Sequence, residues 1–207
     1  EGEIVTMIGA NGAGKTTLLR SLVGALPCRS DMIRFDGVAI GAQPAHVSVR
    51  QGIAMVPEGR KLFPSLSVEE NLRIGGDYAR PGPWTLERVY TLFPVLRERR
   101  NVPGTLLSGG QQQMTAIGRA LMSNPRVLLC DELSLGLAPA IIREIYSCLE
   151  SIAKEGTTLV IVEQDIDRAL KAADRFYCLQ KGRISLAGQA GDAPVDRAAL
   201  STAYFGL

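Results

Sequence analysis

Three short apolar runs punctuate this chain: Ile4-Val5-Thr6-Met7-Ile8, Val127-Leu128-Leu129-Cys130 and Thr158-Leu159-Val160-Ile161-Val162. Runs of this length, rich in branched residues and apolar at successive positions, predict strands of a parallel sheet covered on both faces. Gln51 to Val56 leads toward the same sheet. Met32-Ile33-Arg34-Phe35 and Val38-Ala39-Ile40 flank Asp36-Gly37, a hairpin signal. Helical patterning occupies Thr17 to Val23 and Gln112 to Met122, the second from a start near Ser108 to a stop at Asn124-Pro125. Ser67-Val68-Glu69-Glu70 reads as a capping box, because Ser67 and Glu70 can satisfy each other's backbone donors. From about Gly59 to Leu121 the pattern is helix-rich and broken by Pro81-Gly82-Pro83. There is no internal repeat and no low-complexity tract.

Chemistry gathers where the runs end. Gly9-Ala10-Asn11-Gly12-Ala13-Gly14-Lys15-Thr16 fits G-x-x-x-x-G-K-[ST] and lies between a strand and a helix. In that context the glycines let successive backbone N–H groups converge on one phosphate, and the helix start adds its own free donors. Gly9, Asn11, Gly12, Ala13, Gly14, Lys15, Thr16 and Thr17 are the candidate ATP contacts. Lys15 would reach the terminal phosphates and the Thr16 hydroxyl the Mg2+ ion. A plain glycine-rich turn is the rival reading, and the strand–loop–helix context argues against it. The run Arg126 to Cys130 ends in Asp131-Glu132. Asp131 would hold Mg2+ and Glu132 would act as general base on the attacking water. Alone, two acids after a strand more often cap a helix; the phosphate loop gives them meaning. Leu107-Ser108-Gly109-Gly110-Gln111 supplies a second anion site, in which Ser108, Gly109, Gly110 and Gln111 face a nucleotide. Two copies facing each other can enclose one ATP between the first site of one and the second site of the other.

Phosphate loop, LSGGQ segment and acidic strand in this order resemble the ATP-binding subunits of ABC transporters from Glu1 to Leu207. The resemblance implies an α/β P-loop NTPase: a RecA-like core with a mainly parallel sheet and an inserted helical signature subdomain. It divides the chain into a nucleotide-binding core over about 1–58 and 122–207 and a helical lobe over 59–121. It implies a head-to-tail dimer with a second ATPase subunit, identical or paralogous. It also implies transmembrane permease subunits, a periplasmic or extracellular substrate-binding protein acting indirectly, and a peripheral place at the cytoplasmic face of the membrane.

Finer segments, Met55 to Arg60, Leu62 to Leu72, Ser134 to Pro139, Val162-Glu163-Gln164 and Tyr204-Phe205-Gly206, look like the branch serving branched-chain amino acid import. Urea and short-amide importers are the near alternative. Glu58 stands where most of the superfamily has a glutamine that touches the metal or attacking water, and Gln164 where a switch histidine contacts the γ-phosphate. Glu58 loses the amide donors and adds charge; Gln164 still donates but carries no proton near neutral pH. Ala138 and Leu133 replace the usual aspartate and proline. The resemblance also implies upstream strands and an adenine-stacking aromatic that do not precede Glu1. We therefore expect a natural start beyond it and weaker ATP binding than the parent, while the carboxyl end reads as complete.

Composition narrows the classes left. With 23 basic and 21 acidic residues the net charge is +2, which offers no field for nucleic acid. Arg97-Glu98-Arg99-Arg100 reads as a solvated helix end. No apolar run approaches the ~18 residues of a bilayer span. Cys28, Cys130, Cys148 and Cys178 lack metal-type spacing and read as reduced thiols. His46, the only histidine, reads as a surface residue in a loop, so a histidine triad or multi-histidine zinc site is ruled out. One cassette without a long coiled-coil insertion disfavours a soluble ABC ATPase of DNA repair or translation. Glu132 disfavours a nucleotide sensor without hydrolysis. Leu62-Phe63-Pro64 with Leu66 is either packing beneath a helix or a groove for a permease helix.

Overall fold

The computed structural model describes residues 1–190, 200 and 202–204. Five parallel strands carry the molecule: β1 (Ile4–Ile8), β4 (Ile53–Val56), β5 (Val127–Asp131), β6 (Thr158–Glu163) and β7 (Arg175–Gln180). With antiparallel β8 (Arg183–Gln189) they form one sheet in the order β4-β5-β6-β1-β7-β8. A two-stranded hairpin, β2 (Arg34–Phe35) and β3 (Val38–Ala39), stands apart. Its turn residues Asp36 and Gly37 both take positive φ, 49° and 78°, as a two-residue hairpin loop demands.

Helices cover both faces, which explains the unbroken apolar strands. Leu128 and Cys130 of β5 and Leu159 and Ile161 of β6 pack with Ile145, Leu149 and Ile152 of α7 (Pro139–Lys154). On the other face Met7, Leu129 and Val162 pack with Leu19 of α1 (Lys15–Leu22). Ile8, Phe176 and Cys178 meet Ala169 of α8 (Ile166–Ala172), Leu200 and Ala203.

A layer of helices lies to one side: α3 (Val68–Ile74), α4 (Leu86–Leu92), α5 (Pro94–Glu98) and α6 (Gly109–Leu121). Val68 and Leu72, Val89, Leu96, and Met114, Ile117 and Leu121 belong to the same continuous apolar cluster as the sheet residues beneath α7. The capping box forms at α3: Ser67 Oγ accepts from the Glu70 N–H, and Glu70 Oε2 accepts from the Ser67 N–H at 2.8 Å. One feature differs from the sequence reading. His46 lies on a helix, α2 (Ala45–Gln51), although it is exposed as expected. Phe205 and Gly206 lie outside the described residues. All four cysteines are free, and Cys130 and Cys178 are buried; burial pushes the Cys130 thiol far above its ordinary range.

Candidate functional site

Strand register decides which residues meet. Ile8 of β1 pairs with Glu163 of β6, and Val162 of β6 pairs with Asp131 of β5. The segments that follow, Gly9 onward, Gln164 and Glu132, therefore emerge side by side at the carboxyl edge of the sheet, where α/β proteins bind ligands. Glu132 and Gln164 line a cavity of about 510 Å³ with Asn11, Gly12, Gly14, Lys15, Thr16, Thr17, Glu58 and Leu135, whereas Gly9 and Ala13 of the same loop do not line it.

The loop between β1 and α1 is fixed by its glycines and by the end of β7. Gly14 caps α1 at φ 104°, a conformation that favours glycine. A Cβ on Gly9 would stand 2.3 Å from the Leu179 carbonyl oxygen, so the loop presses on the end of β7. The Gly182 N–H, in the turn before β8, donates to the Ala13 carbonyl at 2.9 Å. Lys15 is only 5% exposed. Its Nζ donates to the carbonyls of Gly9 at 2.6 Å and Ala10 at 3.1 Å. The ammonium thus lies across the cradle, satisfied by backbone oxygens that a phosphate can replace.

Thr16 lies in the first turn of α1 and its hydroxyl donates to Asp131 Oδ1 at 3.2 Å. The other oxygen, Oδ2, is buried with no hydrogen-bond partner. A buried carboxylate oxygen without a donor is costly, and a hard cation held by oxygen ligands satisfies it. Thr16 and Asp131 therefore fit a magnesium ion. Burial pushes the Asp131 carboxyl above its ordinary range, the Thr16 hydroxyl opposes that rise, and the charges of Glu132 and Glu58 add to it. A cation would relieve the same repulsion. Among the described residues no cluster of three His, Cys, Asp or Glu could hold a metal by itself, so nucleotide oxygens would complete the sphere.

Glu132 has φ 49°, a left-handed conformation uncommon for a glutamate. Its Oε2 accepts from Gln164 Nε2 at 2.7 Å. Leu133, in the place of the usual proline, is 1% exposed and belongs to the core. Ser108 to Gln111 do not line the cavity. Ser108 caps α6, its N–H donating to Gln111 Oε1 at 3.0 Å and its Oγ accepting from the Gln111 N–H at 3.3 Å. A Cβ on Gly110 would meet Ile141 Cγ2 of α7 at 2.6 Å.

A family model described as ABC transporter matches residues 1–134, about two thirds of the chain. The chain belongs to the ABC transporter family. This ABC cassette is 50% identical over 186 residues to the high-affinity branched-chain amino acid transport ATP-binding protein BraG of Pseudomonas aeruginosa, spanning 89% of the chain and 80% of that protein. It is 33% identical to the probable branched-chain amino acid transport ATP-binding protein LivF of Archaeoglobus fulgidus, spanning 93% and 83%. A dimeric, post-hydrolysis ATP-binding cassette bound to ADP and Pi matches with a TM-score of 0.80 at 25% identity, over 92% of this chain and 86% of that one. ABC cassettes of this kind are ATPases.

Sequence reasoning missed the supports of the site. Asn71, fully buried, accepts from the Phe63 N–H at 2.9 Å and donates to the carbonyls of Phe63, Leu66 and Ser67. It thereby fixes the loop before α3. Glu163, buried at the end of β6, accepts from Tyr146 at 2.6 Å and Ser134 at 2.9 Å. An amide and a carboxylate beside motif residues were the available signals.

Proposed function

We propose that this chain is the ATP-hydrolysing subunit of an importer for branched-chain amino acids. The observation that carries the chemistry is the facing of Glu132, held by Gln164, across one cavity from Lys15 and Thr16. Similarity to the two branched-chain amino acid ATP-binding proteins supports the cargo.

In this reading the amides of residues 9–16 bind the β- and γ-phosphates, and Lys15 leaves the Gly9 and Ala10 carbonyls to neutralise them. Thr16 and Asp131 would hold Mg2+. Bound there, the ion would offset the negative charge that builds on the phosphate oxygens. Glu132 orients and deprotonates the attacking water, and Gln164 fixes the carboxylate's direction. Glu58, exposed at the cavity rim after β4, stands ready to touch metal or water. Ser108 to Gln111 serve the cavity of a second ATPase subunit.

Residues 59–121 form the lobe that meets the permease at the cytoplasmic face of the membrane. A groove of about 360 Å³ lined by Val49, Met55, Phe63, Ile74, Tyr78 and Arg119 supports that contact. Phe63 is 46% exposed, so it is not consumed by packing. Among the described residues no helix is long and apolar enough to cross a membrane, in keeping with permease subunits providing the span.

The test is uptake of labelled leucine and labelled urea by cells expressing the parent or its Glu132→Gln form. Loss of leucine uptake alone supports the proposal. Loss of urea uptake alone moves the protein to the sister importers, and loss of neither overturns a transport role.

A further inference from the structure

Two segments carry the reactive side of the cavity: the loop after β5 and the end of β6. Three cross-links tie them together. The Glu132 N–H donates to the Val162 carbonyl at 3.1 Å. Gln164 Nε2 donates to Glu132 Oε2 at 2.7 Å. The Ser134 hydroxyl donates to Glu163 Oε2 at 2.9 Å.

The third link joins residues that do not line the cavity, yet it is the most heavily braced. Glu163 is 2% exposed. Its Oε1 accepts from the Tyr146 hydroxyl of α7 at 2.6 Å. Arg168 of α8 donates to the Ser134 hydroxyl at 2.8 Å and lies 3.6 Å from Glu163 Oε2, while also pairing with Asp165 at 3.0 Å. A buried carboxylate persists only where hydrogen bonds and an opposite charge compensate it. Here the compensation comes from α7, α8 and the β5 loop together, so the carboxylate fixes where the three sit. Burial, with the Glu163 charge beside it, pushes the Tyr146 hydroxyl far above its ordinary range and keeps it a donor. Glu132 needs such fixing. Its φ of 49° is strained for a glutamate and persists only where the surroundings over-determine it.

We infer that Glu163 is a positioning residue for ATP hydrolysis: through Ser134, braced by Tyr146 and Arg168, it holds the β5 loop against β6 so that Glu132 and Gln164 meet. The inference rests on Glu132 being the general base. A positioning role differs from a packing role in one measurable way. It acts through Gln164 and Glu132, so its loss cannot be felt twice.

The experiment is steady-state ATP turnover of the purified full chain, comparing the parent, Glu163→Gln, Gln164→Ala and the double variant, with ATP affinity and Tm measured alongside. Glu163→Gln keeps the volume and an acceptor for Tyr146, but removes the charge that faces Arg168. We expect kcat to fall about tenfold, the loss of roughly one charge-assisted hydrogen bond, with KM for ATP within about twofold. Added to Gln164→Ala, the same change should cost almost nothing more. Parental kcat in Glu163→Gln, or a loss that multiplies in full upon Gln164→Ala, overturns the inference. Should Glu163→Gln not fold, Ser134→Ala and Tyr146→Phe each remove one bond from the carboxylate and are read in the same cycle. A Glu132→Gln form that still turns over ATP sinks the base assignment instead, and is seen in a separate arm.

Discussion

At the scale of single residues, the site is built from groups that each lack something. Asp131 Oδ2 lacks a donor, the Lys15 ammonium borrows backbone carbonyls, and Glu132 stands in a strained backbone conformation. Preorganised, imperfectly satisfied groups are what a bound triphosphate and metal can reward. Gln164 also shows how a single departure meets an ordinary residue, Glu132. An amide donor pointed at a carboxylate can orient it without supplying a proton, which is the role the proposed mechanism gives Gln164 toward Glu132. Glu132→Gln should therefore lower ATP turnover by about 10²- to 10⁴-fold while leaving nucleotide affinity near the parental value. Turnover and nucleotide titration on one preparation check this; a parallel fall in affinity would mean that Glu132 binds rather than reacts.

Elements add constraints that no motif displays. Gly75 ends α3 against α6, where a Cβ would lie 1.9 Å from the Arg119 carbonyl oxygen. Backbone cannot yield as a side chain does, so Gly75→Ala should destabilise the fold by about 2–3 kcal/mol, seen as a lower midpoint in denaturant unfolding. A second tie joins α3 to α4. Glu69 pairs with Arg73 at 2.7 Å and accepts from the Tyr90 hydroxyl at 3.0 Å. The Arg73 guanidinium, with the Tyr90 hydroxyl, holds the Glu69 carboxyl below its ordinary range. A lowered folded pKa favours the ionised form in the folded state. The stabilisation is thus complete above the ordinary glutamate range and fades as pH falls through the lowered folded value. The Tm gap between the parent and Glu69→Gln should be constant at neutral pH and close in acid; a gap that widens in acid would contradict the assignment. The ties of Gly75 to Arg119 and of Glu69 to Tyr90, unlike the i,i+4 pair Glu69–Arg73, were illegible in the sequence for a physical reason. Capping boxes, hairpin turns and apolar runs are local, and Ser67–Glu70, Asp36-Gly37 and β1, β5 and β6 could be read from a few neighbours. Gly75 against Arg119, Asn71 under Phe63 and Glu163 under Ser134 depend on chain segments brought together only by folding. α7 could have been read, since Pro139 opens it and Ile145, Leu149 and Ile152 mark one face, whereas the role of Leu179 and Gly182 beneath the phosphate loop could not.

For the whole molecule, the decisive fact is a separation. The cavity that holds Lys15, Thr16 and Glu132 does not include Ser108 to Gln111, although both regions offer backbone donors to an anion. In the proposed reading Ser108 to Gln111 complete the cavity of a second subunit, a composite site that a symmetric dimer supplies twice. That arrangement makes a prediction by complementation. Lys15→Ala disables a chain's own phosphate loop, and Ser108→Arg disables the face it lends to its partner. Each variant alone should give no turnover, because every composite site carries the defect. In a mixed dimer both defects fall on the same site, one from each chain, and the other site is wholly parental. An equal mixture that re-pairs at random should therefore recover about a quarter of parental turnover, half the dimers being mixed and each having one intact site of two. Recovery at that level establishes a homodimer with shared sites. No recovery, with both variants folded and able to associate, would mean that the second subunit is a different ATPase or that both mutated residues serve a site within one chain.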